Sequence, residues 1–296
     1  MAFDPKKIPD PLRKAYGAGR CAVLVGAGAS KGAGLPLWGE LLAKMIESAV
    51  AHGLISPAKE AEYRALVTRA DKFLMVASGL KDDLGGHFDQ FIEETFIAPK
   101  PAPTALHEAL VALEKLQFVL TTNYDTLLER AFRKRDDDVS VCSFTDAGEV
   151  QRRLSRREFF ILKAHGDATK PGNKIVLTDV DYRNLLFGQR AYQSLLSAMF
   201  TMFTFVFVGA SMTDPEISLL LSYIADSFSP HAGPTHYALM AAEDVTQVEK
   251  DRWFKDFKIQ LITVSKQDNY AELTEFLREL GVPDAAAPAA TRQVPN

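Results

Sequence analysis

The sequence predicts an α/β protein built on a doubly wound, mostly parallel sheet of about six strands. Three observations carry that prediction. Short, unbroken apolar runs recur at 21–25, 118–121, 159–163, 205–208, 236–240 and 259–264, as strands covered on both faces require. Helical patterns lie between them. Several runs end in glycine, hydroxyl, amide or imidazole residues, at the strand ends where open α/β sheets bind ligands.

The first strand, CAVLV, runs into a glycine-rich turn from Gly26 to Gly34, and Trp38 to Ala51 then shows helical spacing. The next strand begins only at Phe118, far beyond the ~30 residues of a simple βαβ unit. The surplus, residues 54–103, is helix-like and ends at Pro99, Pro101 and Pro103, so a helical insertion forming a small lobe is expected after the first strand–helix unit. Thr104 is the expected N-cap of the following helix, with Glu108 in its first turn. Asp214 and Pro215 supply cap and first residue for PEISLLLSYIADSF, and Tyr270 to Leu280 gives a last helix. The plan is Rossmann-like, one domain over 1–281, with a Pro/Ala-rich tail at 282–296 expected to be disordered.

From Ala191 to Thr213 there is no charged residue, and a membrane-spanning helix needs only ~20 apolar residues. The run is nevertheless interrupted by Gln193, Ser194, Ser197, Thr201, Thr204 and Ser211, and it turns β-rich at TFVFVG. A buried helix feeding a central strand is the better reading.

Composition excludes several classes. Among 296 residues, 47% are apolar and 19 Phe, 8 Tyr and 2 Trp supply a full core, which argues against disorder. Cys21 and Cys142 stand far apart, so neither a four-cysteine zinc site nor a disulfide framework is expected. A net charge of −4 gives no footprint for direct nucleic-acid binding. The first twenty residues lack the apolar region of a signal peptide, and a cytoplasmic setting with no membrane association is expected.

Four strand ends could carry chemistry. Gly26, Ala27, Gly28 and Ser30 lie on a strand–turn–helix junction, a ready phosphate cradle, although a ligand-free glycine turn is the plainer alternative. The dinucleotide fingerprint fails because Lys31 occupies its third glycine position, and no Gly-Lys-Ser/Thr closes a P-loop. Gly28-Ala-Ser30-Lys-Gly32 fits a nucleophile elbow, and Ser30, Asp125 and His165 follow hydrolase order, so a serine hydrolase remains an alternative. Thr121-Thr122-Asn123-Tyr124-Asp125 ends the next predicted strand, where Asn123 and Asp125 could face a ligand or merely cap the following helix. Lys163-Ala-His165-Gly166-Asp167 ends the third; an imidazole with an ordinary pKa of ~6.5 is a usable base at neutral pH. No histidine pair has convincing metal spacing. Gly209 and Ser211 close the fourth. Together these ends outline one cleft suited to a dinucleotide.

GAGASKGAGLP, TTNYD, KAHGD and VGAS, in that order, resemble the NAD-binding and catalytic motifs of sirtuins, over nearly the whole chain. The phrases ILKAHGD…KIVLTDVDY and FVFVGASMTDPEISLLL are most similar to the branch acting as NAD+-consuming effectors in anti-phage defence. The resemblance implies that Gly26, Ala27, Gly28 and Ser30 hold the pyrophosphate and adjoining ribose. It implies that Asn123 and Asp125 contact the nicotinamide-side ribose, with Asn123 also placing the attacking water. It makes His165 the general base and puts Gly209 and Ser211 along the adenosine path. Trp38 stands where an aromatic would cover nicotinamide, and Thr122 replaces the usual glutamine before Asn123. The four zinc cysteines are missing, so no zinc is expected. The resemblance therefore implies an NAD+ glycohydrolase, with a deacylase or ADP-ribosyltransferase, or a non-catalytic nucleotide sensor, as alternatives. It also implies a homo-oligomer and a separate HerA-type ATPase partner.

Overall fold

The structure, a computed structural model, describes residues 3–170, 175–210, 212, 215–227 and 233–283. Seven parallel strands form the sheet: β1 (Cys21–Val25), β2 (Leu116–Thr121), β3 (Ser140–Ser143), β4 (Phe160–Lys163), β5 (Thr204–Val208), β6 (His236–Ala241) and β7 (Ile259–Val264). Their spatial order is β3-β4-β2-β1-β5-β6-β7. The chain leaves β1 towards β2 on one side and leaves β5 towards β6 on the other. The strand order therefore reverses between β1 and β5, and a crevice opens at their C-terminal ends.

Both faces of the sheet are buried, which is why its strands read as continuous apolar runs. Side chains alternate between two cores. Cys21, Val23, Val25, Val206 and Val208 join the helices Asp10–Gly17, Ala105–Val111 and Gln267–Gly281 on one face. Ala22, Leu24, Phe118, Phe160, Phe205 and Phe207 meet the helix Arg190–Met202 on the other. The charge-free stretch thus divides into a helix and β5, as the sequence suggested, and no described helix is long and apolar enough to cross a membrane.

The strand beyond the expected six is β3. It pairs only with β4, and Ser140 and Val141 are half-buried. An edge strand with one side in solvent needs no apolar run, so SVCS carries no sequence signal.

Between Leu54 and Pro103 the chain forms the helices Pro57–Leu66, Phe73–Leu84 and Phe88–Phe96. They share a third core with the helix Trp38–Ala51, formed by Leu42, Met45, Val76, Leu80 and Ile92 among others. That core continues into Tyr124, Leu127, Ile175 and Leu177, so the insertion packs directly on the segments bearing the candidate site. Thr104 caps its helix as expected, with its N–H donating to His107 Nδ1 at 3.2 Å. The cap expected at Asp214, and the tail beyond Pro283, lie outside the described residues.

Candidate functional site

The ends of β1 and β5 close on each other through glycine. Gly26 N–H donates to the Val208 carbonyl at 3.0 Å and Gly28 N–H to the Gly209 carbonyl at 2.8 Å. A Cβ on Gly26 would lie 2.4 Å from Ala210 Cα, and one on Gly209, at φ +60°, would lie 2.4 Å from Ala29 N. These glycines are needed for backbone approach across the crevice. The N–H groups of Gly26 and Gly28 are both engaged in these backbone bonds.

The turn brings Ser30 beneath the end of β2. Ser30 Oγ donates to Asp125 Oδ2 at 2.8 Å and accepts from Asn123 Nδ2 at 3.0 Å, and the same amide donates to the Gly26 carbonyl at 3.2 Å. A carbonyl can only accept, which fixes the orientation of the Asn123 amide. Its Oδ1 is thereby left buried and without a partner, although Asn123 is only 7% exposed. Both oxygens of Asp125 are engaged within the protein. Oδ1 accepts from Leu127 N–H at 2.9 Å, capping the helix Leu127–Phe132, while Oδ2 holds Ser30.

Behind this loop Lys163, 1% exposed, donates to the carbonyls of Asp125 (2.6 Å) and Tyr124 (3.2 Å) and to Glu129 Oε1 (2.8 Å). Asp167 Oδ1 stands 3.4 Å from the same ammonium. Burial works to raise the Asp167 carboxyl, but Lys163 and two Thr169 hydrogen bonds prevail and hold it below the usual range. Burial pushes Glu129 up against the pull of Lys163.

His165 is 3% exposed, with its ring edge-on to Tyr182 at 5.2 Å. His107, fully buried below the loop, is shifted down by burial against the opposing charges of Asp125 and Glu108.

One cleft of about 320 Å³ brings together Ala27, Gly28, Ser30, Trp38, Thr122, Asn123, Asp125, His165 and Gly209. Gly26 is not among its lining residues, and Ser211 lies outside the described residues. Trp38 forms part of the wall and stacks at 6.0 Å and 9° on Phe73, the first residue of an insertion helix. Across Gly28, Leu37, Gly209 and Ala210 the cleft continues into a second hollow of about 510 Å³ over the ends of β6 and β7. Each alone has the size of a small-ligand site, and together they form a trough crossing the switch point. Sequence reading missed Tyr124, Phe96 and the Leu35–Leu37 wall, whose apolar character gave no chemical signal. It also missed Lys163, although the lysine stands inside the KAHGD motif. Among the described residues no group of three or more His, Cys, Asp or Glu could hold a metal ion.

Residues 117–262 match the SIR2-like domain family. Defense-associated sirtuin 2 of Bacillus subtilis is 29% identical over 70% of this chain and 19% of its own length. NAD(+) hydrolase ThsA of Bacillus cereus (strain MSX-D12) is 27% identical over 88% of this chain and 53% of its own. A solved Sir2 enzyme structure aligns over 92% of this chain and 99% of its own at 18% identity, with a TM-score of 0.44. The chain spans about half the length, or less, of the curated relatives it matches. The chain is therefore sirtuin-like: residues 117–262 are similar to the SIR2-like domain family, and the curated proteins it resembles include a defence-associated sirtuin and NAD(+) hydrolases.

Proposed function

We propose that this chain is an NAD+ glycohydrolase, releasing nicotinamide and ADP-ribose, and that it acts as a defence effector. The observation that carries the reading is Asn123 Oδ1, a buried acceptor with no partner among the described residues, on a residue that lines the cleft. Buried polar atoms are rarely left unpaired, and a ribose hydroxyl or a water supplies the missing donor. NAD(+) hydrolase relatives support the same substrate.

In this reading Asn123 holds the nicotinamide-side ribose and the attacking water, with its amide fixed by Gly26 and Ser30. Asp125 acts mainly through Ser30. The C1′–nitrogen bond breaks with its electron pair leaving on nicotinamide, and the ribosyl carbon gains oxocarbenium character. Water adds to that carbon and gives its proton to His165. Trp38 and the insertion restrict solvent on the nicotinamide side. Ala27, Thr122 and Gly209 line the remaining path of the dinucleotide. No metal has a part in this route. The proposal extends to a cytoplasmic homo-oligomer controlled together with a separate HerA-type ATPase partner, as the sequence resemblance implies.

The test is nicotinamide release from NAD+, with no acylated peptide or other acceptor, by the chain alone and with a co-expressed ATPase partner. Turnover should fall by about 100-fold or more in Asn123→Ala and in His165→Ala. Full activity in both variants overturns the reading. Turnover that depends on a protein or nucleic-acid acceptor would move the activity to the transferase or deacylase class.

A further inference from the structure

We infer that Lys163 is a positioning residue for the reaction, its buried ammonium fixing the Asn123–Asp125 loop against the loop that carries His165. The inference rests on the NAD+-cleaving reading above and adds a residue to it.

An ammonium has three N–H donors, and here each has its own acceptor: the Asp125 carbonyl, the Tyr124 carbonyl and Glu129 Oε1. Two of the three are backbone atoms of the segment immediately following Asn123. A side chain that merely neutralised Glu129 would have no need of them. The lysine itself leads into the other half of the site. It is paired with Thr121 in the β2–β4 register, Ala164 N–H donates to the Thr121 carbonyl at 2.8 Å, and His165 follows. Asp167, beyond His165, returns to the same ammonium. One buried cation therefore ties down both segments that carry the proposed reacting groups.

Charge points the same way. A fully buried lysine is costly unless paired, and a well-packed apolar residue would serve stability as well or better. A lone cation would also oppose the positive charge that develops on the ribosyl carbon. Here Glu129 and Asp167 neutralise it, and Asp125, whose carboxylate is buried beside it, adds a further negative charge. The ammonium can fix backbone geometry without leaving net positive charge in the cleft.

The experiment compares the wild-type chain with Lys163→Met/Glu129→Gln, which removes both charges of the closest pair so that neither is left buried alone. Thermal unfolding, ADP-ribose affinity and steady-state NAD+ turnover are read on each. The expected result is a folded variant that binds ADP-ribose within threefold of wild type, with kcat lowered on the order of 100-fold, as loop misplacement by about an ångström costs. A double variant whose kcat lies within threefold of wild type overturns the inference and leaves the NAD+ reading standing. A silent wild-type chain overturns the NAD+ reading, and the role of Lys163 falls with it. If the double variant does not fold, Lys163→Arg keeps the charge beside Glu129 but not the two short carbonyl contacts. That variant should lose kcat by about tenfold or more at unchanged KM, and wild-type kcat in it overturns the inference.

Discussion

The phenol of Tyr124 donates to the carbonyl of Val176 at 2.7 Å. Val176 N–H donates in turn to the His165 carbonyl at 3.0 Å, so the residue between Asn123 and Asp125 is stitched to the strand end that carries the imidazole. The Tyr124 ring meanwhile sits in the core of the insertion, edge-on to Phe96 at 5.4 Å. Tyr124→Phe keeps the ring and deletes the hydroxyl that makes the stitch. Leaving the Val176 carbonyl unpaired should cost ~1–2 kcal/mol, a loss of several degrees in melting temperature. NAD+ turnover should fall about tenfold at unchanged KM. A variant with the lower melting temperature and wild-type kcat would confine Tyr124 to a packing role.

Ser30 passes its hydroxyl hydrogen to a carboxylate, where a hydrolase nucleophile would pass it to an imidazole. Its place is to hold the Asn123 amide. Ser30→Ala should therefore lower turnover by roughly tenfold to a hundredfold, whereas loss of a triad serine costs about a millionfold. The wild-type chain should also resist labelling by a fluorophosphonate. Stoichiometric labelling at Ser30 would restore the hydrolase alternative.

Gly209→Ala tests the closure of β1 on β5. The left-handed backbone costs ~1–2 kcal/mol for alanine, and the clash with Ala29 N cannot relax without parting the two strand ends. A destabilisation of at least ~2 kcal/mol is expected, together with weaker ADP-ribose binding, because Gly209 lines both hollows of the trough. Gly34→Ala is the control, since a Cβ there meets no atom within 4 Å and only its φ of +84° is strained. Equal losses in the two variants would show that backbone strain alone, and not the close approach, sets the cost.

The parts of this fold that bury both faces were legible from sequence, because β1, β2, β4, β5 and β6 need largely apolar runs, and the edge strand β7 still buries Ile259, Leu261, Ile262 and Val264. β3 lay hidden because an edge strand can be polar. The strand-end motifs located the cleft, since Asn123, His165 and Gly209 converge only at C-terminal strand ends. What sequence left open was the division of labour within the motifs. Whether Asp125 caps the helix or faces a ligand depends on which oxygen meets which donor, and one oxygen takes Leu127 N–H while the other takes the Ser30 hydroxyl. Lys163 was invisible for a different reason. A lysine is ordinarily solvated, and only the meeting of Glu129, Asp167 and two carbonyls from distant segments makes its burial tolerable.

Acid sensitivity follows from the histidines outside the cleft. His236 is buried behind Phe200 and Phe205, and its Nδ1 accepts from Phe205 N–H at 3.1 Å. Burial, helped by the nearby Lys258, pushes its pKa down from 6.5 to about 3. In the unfolded chain the imidazole titrates normally, so between these values the unfolded state binds a proton that the folded state refuses. The stability His236 contributes is complete above pH ~6.5 and declines as pH falls, at up to ~1.4 kcal/mol per pH unit for one such group. His107, also shifted down by burial, acts with the same sign. Carboxylates such as Asp167 and Asp181, held below their ordinary range, add to the loss only as pH approaches 4. The histidines therefore act between pH 6.5 and 5 before the lowered carboxylates do, opposed by Glu129, whose carboxyl burial holds above its ordinary range. Denaturant midpoints should fall steadily across that window in the wild-type chain. In His236→Asn, whose amide oxygen can still accept from Phe205 N–H, the slope should drop by about half while stability at pH 7.5 declines through lost packing. An unchanged slope in that variant would show that the imidazole at 236 is not what the fold protects from protonation.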